Sequence, residues 1–289
     1  MNARFALLLI ALLPLAACKN DTPAPVGEAE TAGAATSAAK QASAEDPAAN
    51  AKAEAAAQAA AEAAAKSPPP VLGTDYAEIS NGQPFDTTDG RIEVAEIFGY
   101  VCPYCAAVQP TVRAMKAKFP GDVHMVYIPA AFGAMWDTYA KAYYTAEAMG
   151  LVDKTHDAMF RAIHIDKSLK GELGNDTPED IAAFYAGYGA DPKQFVSSMA
   201  SFAIAAKVNR SRQWVIAAFG DDRASTPTFV VNGKYRITAK TLDDMFRVLN
   251  QLVVAERAKA AAAPAATTPA ATAPAAPASE SPAPAPAAS

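Results

Sequence analysis

Cys102 and Cys105 are the residues whose type and spacing point most directly to chemistry. They are two of only three cysteines among 289 residues, and they enclose the dipeptide Pro-Tyr. A disulfide that closes so short a loop contributes little stability, and a zinc site needs about four ligands. The sequence has no second pair of this kind, and its histidines, His124, His156 and His164, are scattered. A redox-active pair is therefore favoured, and we expect no metal site.

The residues around the pair predict a strand, a helix and a second strand. Residues 92–100 (IEVAEIFGY) are rich in β-branched and aromatic side chains, as strands are. Pro103 suits the first turn of a helix, and apolar residues at helical spacing continue to Phe119. Residues 123–128 (VHMVYI) predict the second strand. The cysteines would therefore lie at the start of the helix in a βαβ unit.

The N-terminus of a helix favours a thiolate. Its backbone N–H groups have no partner within the helix, and the helix dipole is positive there. A thiolate at Cys102 would accept those hydrogen bonds, which would lower its pKa and make it the attacking sulfur. Cys105, further along the helix and less exposed, would be the resolving thiol. Stabilising the reduced form in this way makes the disulfide a stronger oxidant.

Beyond this unit the sequence predicts more helix and then a hairpin. The strongest short signal for a β-hairpin, Asn-Gly between apolar runs, occurs at Asn232-Gly233. The predicted elements are a helical block over about residues 134–219 with helix starts at Asp137, Asp153, Thr177 and Asp191, hairpin strands over 228–231 and 234–238, and a final helix over 241–259. The predicted fold class is α/β, within a folded part of about residues 72–257.

The two ends of the chain predict export and low-complexity arms. Arg4 precedes an apolar run (FALLLIALLPLA) that is too short to span a bilayer, which predicts a signal peptide over residues 1–17. Leu-Ala-Ala before Cys18 resembles the bacterial lipobox, in which the cysteine is acylated and becomes the mature N-terminus. An ordinary signal peptide followed by a stray cysteine is the alternative. Residues 19–70 predict an Ala/Pro-rich tether, and residues 258–289 a disordered Ala/Pro tail.

Charge and motif content argue against several other functions. The formal net charge of −5 does not suggest nucleic-acid binding. No phosphate-binding glycine loop and no Ser/His/Asp arrangement stands out in the sequence. We therefore expect no cofactor.

Two stretches carry a resemblance to a known family. FGYVCPYC and STPTFVVNGKY together resemble the thioredoxin fold, and a helical insertion between them resembles the DsbA branch of periplasmic thiol:disulfide oxidoreductases. The resemblance covers about residues 75–257. It implies a monomeric enzyme that introduces disulfides into exported proteins in the periplasm of a Gram-negative bacterium. It also implies reoxidation by a quinone-linked membrane oxidase like DsbB. With a lipid on Cys18, the enzyme would be anchored to the inner or outer membrane.

The same resemblance implies roles for further residues. Pro227 would follow a cis peptide bond, with the backbone of Thr226 facing Cys102 and able to pair with a substrate peptide. The alternative is a trans proline that starts an edge strand. Glu96 would be a buried acid with a raised pKa that exchanges a proton with Cys105. The alternative is a Glu96 that is partly exposed or paired with a lysine.

The dipeptide between the cysteines, Pro103-Tyr104, would tune the redox potential, and here the sequence departs from the family pattern. The typical motif is CPHC, whose histidine stabilises the thiolate, whereas this chain has Tyr104. Thr226 also stands where oxidants often have valine, and threonine is typical of disulfide isomerases. Tyr104 predicts a milder oxidant, and both departures leave the direction of electron flow open, although not the type of reaction.

Two other functions stay open at this point. A membrane-tethered reductase or isomerase of the same fold would use the same chemistry in the other direction, although such isomerases usually dimerise through an extra N-terminal domain. A non-enzymatic lipoprotein that binds the envelope through its Ala/Pro arms is the other possibility. The aromatic cluster Met135-Trp136, Tyr139, Tyr143 and Tyr144, and the pair Trp214 and Phe219, predict either core packing or a peptide-binding surface.

Overall fold

The computed structural model describes residues 62–87 and 89–262, together with Ala55 and residues 58–59. The predictions for the signal peptide, for the lipid on Cys18, for most of the tether and for most of the tail lie outside these residues. None of the helices in the described ranges combines the length and the apolar character that a membrane crossing needs.

A single mixed sheet forms the centre of the described part of the chain. Its strands are β1 (Tyr76–Glu78), β2 (Ile92–Phe98), β3 (Val123–Pro129), β4 (Thr228–Val231) and β5 (Tyr235–Ile237), in the spatial order β1-β5-β4-β2-β3. β2 runs parallel to β3 and antiparallel to β4. Asn232 and Gly233 both have positive φ in the turn between β4 and β5, as the predicted hairpin requires.

Helices cover the sheet and fill the predicted insertion. They are α1 (Pro103–Lys116), α2 (Ala134–Ala148), α3 (Val152–His164), α4 (Pro178–Ala186), α5 (Pro192–Met199), α6 (Phe202–Phe219) and α7 (Leu242–Ala262), with a 3-10 turn at Gly171–Leu173. Thr177 and Asp191 cap α4 and α5 through their side chains, as predicted. Asp137 and Asp153 lie inside the first turns of α2 and α3 rather than before them. The α/β fold class is confirmed.

The two faces of β2 belong to different layers of the core. Val94 and Phe98 pack in the cluster that includes Val108 and Val112 of α1. Side chains alternate along a strand, so Glu96, between Val94 and Phe98, lies on the face that α1 covers. Ala95 and Ile97 instead pack in a cluster with residues of α6. The strand before the cysteines therefore aims Glu96 towards the helix that carries them.

The boundaries differ from the prediction at both ends of the folded part. α7 continues to Ala262, three residues beyond the predicted end of the final helix at residue 259, because alanine is the strongest helix former. The first residues of the predicted tail are therefore helical. Upstream, the Gln251 side-chain amide donates to the carbonyls of Ala64 and Pro68, so contacts with the domain begin before residue 72.

Individual elements also differ from the predicted bounds. β1 was not predicted, and it forms only because its residues pair with β5. The strand predicted over residues 92–100 ends at Phe98, where the chain turns towards α1. α1 ends at Lys116, earlier than the predicted Phe119.

Candidate active site

Cys102 lies where the chain passes from β2 into α1. It is the N-cap residue of α1, with an extended backbone (φ −80°, ψ 116°) and Pro103 in the first turn. Gly99, just after β2, packs against the Trp136 ring, and a Cβ atom on Gly99 would lie 2.2 Å from this ring. Only glycine therefore fits where the chain leaves the sheet.

The Cys102 thiol makes polar contacts on two sides. The Cys105 N–H donates to Cys102 Sγ over 3.4 Å, and the Cys102 thiol donates to the Thr226 carbonyl over 3.5 Å. The pKa of Cys102 is lowered to about 6, above all by hydrogen bonding from the Cys105 side chain. Burial opposes this, while the Thr226 side chain and the backbone N–H groups of Cys105 and Tyr104 add to it. A thiolate at Cys102 is therefore the major form at neutral pH.

Cys105 has the opposite character. It is fully buried, and both cysteines are free thiols in this structure. Burial, the hydrogen bond to Cys102 and the negative charges of Cys102 and Glu96 raise the pKa of Cys105 well above its ordinary value. The Cys102 sulfur therefore favours the thiolate form, and the Cys105 sulfur favours the thiol form.

The dipeptide between the cysteines is exposed. Pro103 faces solvent, and the Tyr104 side chain is 74% exposed. Neither residue brings a charged group to Cys102. The groups that lower the pKa of Cys102 come instead from Cys105, Thr226 and the first turn of α1.

Thr226 and Pro227 lie beside the cysteines, although they are distant in sequence. The peptide bond between them is cis, and β4 begins directly after Pro227. The Thr226 carbonyl is the group that accepts the hydrogen bond from the Cys102 thiol. The structure therefore brings the Thr-Pro pair and the Cys-Pro-Tyr-Cys motif into one site.

Glu96 is enclosed in the middle of the sheet. It has no exposed surface, and its strand neighbours are Tyr127 on β3 and Phe229 on β4. Burial raises the pKa of Glu96 to about 8, the Gln109 amide opposes this rise, and the charge of Cys102 adds to it. Within the described residues no lysine or arginine is paired with the carboxyl group, and neither of its oxygens has a well-aligned hydrogen bond. Glu96 is therefore protonated at neutral pH.

Known proteins are similar to this chain in sequence. The thioredoxin family model matches residues 88–251. The thiol:disulfide interchange protein DsbA of Pseudomonas aeruginosa is 37% identical over 193 residues, which cover 66% of this chain and 87% of that protein. DsbA of Azotobacter vinelandii is 35% identical over 191 residues, which cover 65% and 85%.

Solved structures of DsbA proteins are similar to this chain in fold. The oxidoreductase DsbA from Xylella fastidiosa matches with a TM-score of 0.61 and 39% identity, over 65% of this chain and 98% of that chain. P. aeruginosa DsbA matches with a TM-score of 0.58 and 36% identity, over 66% and 96%. The chain belongs to the DsbA family of thiol:disulfide oxidoreductases.

One buried residue of this DsbA-family site was missed by the sequence analysis. Gln109 follows Cys105 by one helical turn and is buried at 5% exposure beside Glu96. The spacing could have revealed it, because residues four apart on a helix share a face. A single glutamine in an amphipathic helix does not by itself indicate a functional residue. Gln109 becomes a candidate only because Glu96 on β2 lies beside it.

One of the three scattered histidines lies in the aromatic core. His156 of α3 is buried, and its Nδ1 lies 3.0 Å from the hydroxyl of Tyr100. Burial lowers the pKa of His156 to about 3, so it is neutral in the core. The apolar face of α3 explains this burial. Among the described residues, no group of three or more His, Cys, Asp or Glu side chains could hold a metal ion.

The aromatic cluster of α2 serves mainly the core of this DsbA-family fold. Tyr139, Tyr143 and Tyr144 are buried, which confirms the packing interpretation for them. Trp136 is only partly buried, and its Nε1 donates to Glu172. In α6, the Trp214 Nε1 donates to the Gln83 carbonyl, and Phe219 is buried. The last two residues therefore hold α6 in place.

Proposed function

We propose that the protein oxidises pairs of cysteines in exported proteins. The observation that supports this direction most strongly is the lowered pKa of Cys102, about 6. A stabilised thiolate favours the reduced protein, and a pair that prefers to be reduced is a good oxidant of other thiols. Cys105 and Glu96, with raised pKa values, complete the site as the thiol and its proton partner.

The proposed reaction starts from the Cys102–Cys105 disulfide. A substrate thiolate attacks Cys102 Sγ, the disulfide breaks, and a mixed disulfide forms between substrate and Cys102. The leaving Cys105 sulfur takes the proton of Glu96 and becomes a thiol. Glu96 is left as a carboxylate and recovers a proton from solvent.

The second step releases the oxidised substrate. A second substrate thiolate attacks the substrate sulfur of the mixed disulfide, and Cys102 leaves as a thiolate. Cys102 is the better leaving group of the pair because its pKa is the lower. Two electrons have then moved from the substrate to Cys102 and Cys105. We propose that a quinone-linked membrane oxidase like DsbB removes them.

Substrate binding is assigned to the residues around Cys102 Sγ. Thr226 and Pro227 lie beside Cys102, so an extended substrate segment placed along Thr226 would bring its cysteine to Cys102 Sγ. Pro103 and Tyr104, both exposed, would meet the substrate on the other side and tune the potential.

The cellular setting is proposed from the N-terminal sequence and from the relatives. The signal peptide over residues 1–17 would direct the protein to the periplasm, and a lipid on Cys18 would tether it to the inner or outer membrane. Such a tether raises the effective concentration near a membrane oxidase in the same membrane. Expression of the full chain and of Cys18→Ser should give a membrane-bound and a soluble protein. Equal fractionation of the two would refute the anchor.

A reductase or isomerase remains the second candidate because of one specific feature. The Tyr104 side chain brings no positive charge to Cys102, so only the Tyr104 backbone N–H, and no side chain of the dipeptide, adds to the stabilisation of the thiolate. This direction would require a membrane donor of electrons instead of an oxidase.

The test is the oxidation of a reduced peptide with two cysteines by the full-length oxidised protein. The wild type should form the peptide disulfide stoichiometrically in a single turnover, and Cys102→Ser should form none. Cys105→Ser, which has no disulfide to give, should also leave the reduced peptide unchanged. With the oxidised peptide, however, its Cys102 thiolate should attack the peptide disulfide and accumulate the mixed disulfide, releasing the other peptide sulfur as a thiol. If the wild type does not oxidise the peptide but its reduced form reduces disulfides rapidly, the proposed direction is wrong.

A further inference from the structure

The two groups that exchange a proton at this site have no contact with solvent. Cys105 and Glu96 are both 0% exposed. The proposed reaction nevertheless takes up one proton when Cys105 becomes a thiol, and it releases one when the pair is reoxidised. A proton must therefore travel between bulk water and the buried carboxyl group in each half-cycle.

A groove reaches towards this site from the surface between α1 and α3. Its volume is about 230 Å³. Its walls are formed by Ala106, Gln109, Pro110 and Arg113 of α1, with Asp157, Phe160, Arg161 and His164 of α3 and the following Ile165. The groove thus runs along α1, and its wall includes Ala106, the residue that follows Cys105 in the chain.

Gln109 belongs both to the groove and to the buried site. It lines the groove, yet its side chain is only 5% exposed. Neither its amide nitrogen nor its amide oxygen has a well-aligned hydrogen-bond partner among the described residues. The amide is near enough to Glu96 to lower the pKa of that carboxyl group, but no well-aligned hydrogen bond joins the two side chains. Because an unsatisfied buried polar group costs about 1–3 kcal/mol, a water molecule that bonds to this amide would stabilise it.

The charged groups around the groove are already engaged. Arg113 pairs with Asp157 over 2.6 Å, and His164 Nε2 lies 2.7 Å from the Tyr100 carbonyl. Arg161 pairs with Asp166 beyond the groove. Gln109 differs from these groups, because it lines the groove and both of its polar atoms lack a well-aligned partner among the described residues.

The groups that face Glu96 itself are few. Cys102 and Cys105 face it from the start of α1. Tyr127 is its neighbour on β3, and Lys116 Nζ lies 5.3 Å from the centre of the Tyr127 ring. From β4 the neighbour is the apolar Phe229. The Gln109 amide is the uncharged polar group among these neighbours, and it favours the ionised form of Glu96.

We propose that Gln109 is a positioning residue that links Glu96 to water in the groove between α1 and α3. Its amide orders a water molecule against the carboxyl group. When Cys105 leaves the disulfide it takes the Glu96 proton, and the resulting carboxylate is reprotonated by water that enters along the groove. On reoxidation the proton returns by the same route. This inference rests on the proposed role of Glu96.

The test compares variants of the full-length oxidised protein in single-turnover oxidation of a dithiol peptide. Gln109→Met keeps the length of the side chain and removes both polar atoms. Gln109→Leu is a second variant, in case methionine disturbs folding. Val112→Ala is the matched control, because Val112 is buried on the same helix but is apolar. Rates are measured across pH in H₂O and D₂O, and the pKa of Glu96 is followed by carboxyl ¹³C NMR.

Gln109→Met should slow the proton-coupled step by about tenfold or more, within the range of general acid–base effects, and should raise the pKa of Glu96. Val112→Ala should change neither the pH profile nor the isotope effect. If Glu96→Gln slows the reaction and Gln109→Met does not, the inference about Gln109 is overturned while the role of Glu96 stands. If Glu96→Gln itself leaves the pH profile unchanged, the proposed role of Glu96 fails with it.

Discussion

Replacing the buried acid should make the oxidised protein more stable, and the gain should grow with pH. The pKa of Glu96 is about 8 in the folded protein against 4.5 for the free side chain. Below pH 4.5 both the folded and the unfolded state hold the proton, so Glu96 does not change stability with pH there. Between these two values only the unfolded state ionises, and stability falls by about 1.4 kcal/mol per pH unit.

The expected magnitude follows from this window. At pH 7 the penalty in the wild type is about 3 kcal/mol, and above pH 8 it levels off at about 5 kcal/mol. Glu96→Gln has no proton to lose and should escape the whole pH-dependent part. A missing hydrogen bond of the new amide would shift its stability by the same amount at every pH, so the difference in slope is the diagnostic quantity.

The assay is urea unfolding of the oxidised full chain from pH 4 to pH 9. The oxidised state is chosen because neither cysteine can then titrate. Burial, the largest cause of the raised pKa of Glu96, still acts in that state, whereas the smaller contribution of the Cys102 charge is absent. His156 and Glu93, which are also buried, contribute equally to both proteins and cancel in the comparison. Glu78→Gln, at an exposed position on β1, is the matched control and should keep the wild-type slope. Parallel curves for the wild type and Glu96→Gln between pH 5 and pH 8 would refute the raised pKa.

Three further outcomes are expected. Tyr104→His should lower the pKa of the attacking thiol, measured by ultraviolet thiolate absorbance, because an imidazole adds positive charge beside it; an unchanged pKa would contradict the assignment of tuning to this dipeptide. Thr226→Val keeps the backbone carbonyl but removes the side-chain hydroxyl whose hydrogen bond lowers the pKa of Cys102, so that pKa should rise; an unchanged or lower value would contradict this role of the hydroxyl. Gly99→Ala should destabilise the protein by about 1–3 kcal/mol in urea, since its Cβ would meet an indole ring, whereas Gly121→Ala, with open space around it, should cost far less.

The elements that carry the chemistry were accessible from sequence because their signals are local. The apolar run over residues 92–98, the proline in the first turn of α1 and the Asn232-Gly233 turn each specify structure within a few residues. The fold class, the position of the cysteines at the helix start and the hairpin after Thr226-Pro227 followed from these signals.

The features that escaped prediction depend on distant partners. β1 spans three residues and has no periodicity to detect, and it exists because β5 offers it an edge. Residues 64–68 look like part of a tether, yet Gln251 on α7 binds their carbonyls. His156 reads as an ordinary helical histidine until Phe98 and Tyr100 are folded around it. In each case the structure depends on contacts with residues that are distant in the sequence, so the local sequence does not predict it.

The equilibrium reduction potential of the Cys102–Cys105 pair tests the central claim most directly. The full-length protein would be titrated against glutathione, and the fraction of reduced pair followed by thiol alkylation. A thiolate at Cys102 with a pKa of about 6 predicts an oxidant milder than the strongest member of the family, between about −120 and −200 mV. A potential at or below about −200 to −230 mV, the glutaredoxin range, would contradict the oxidising direction and favour a reductase or isomerase.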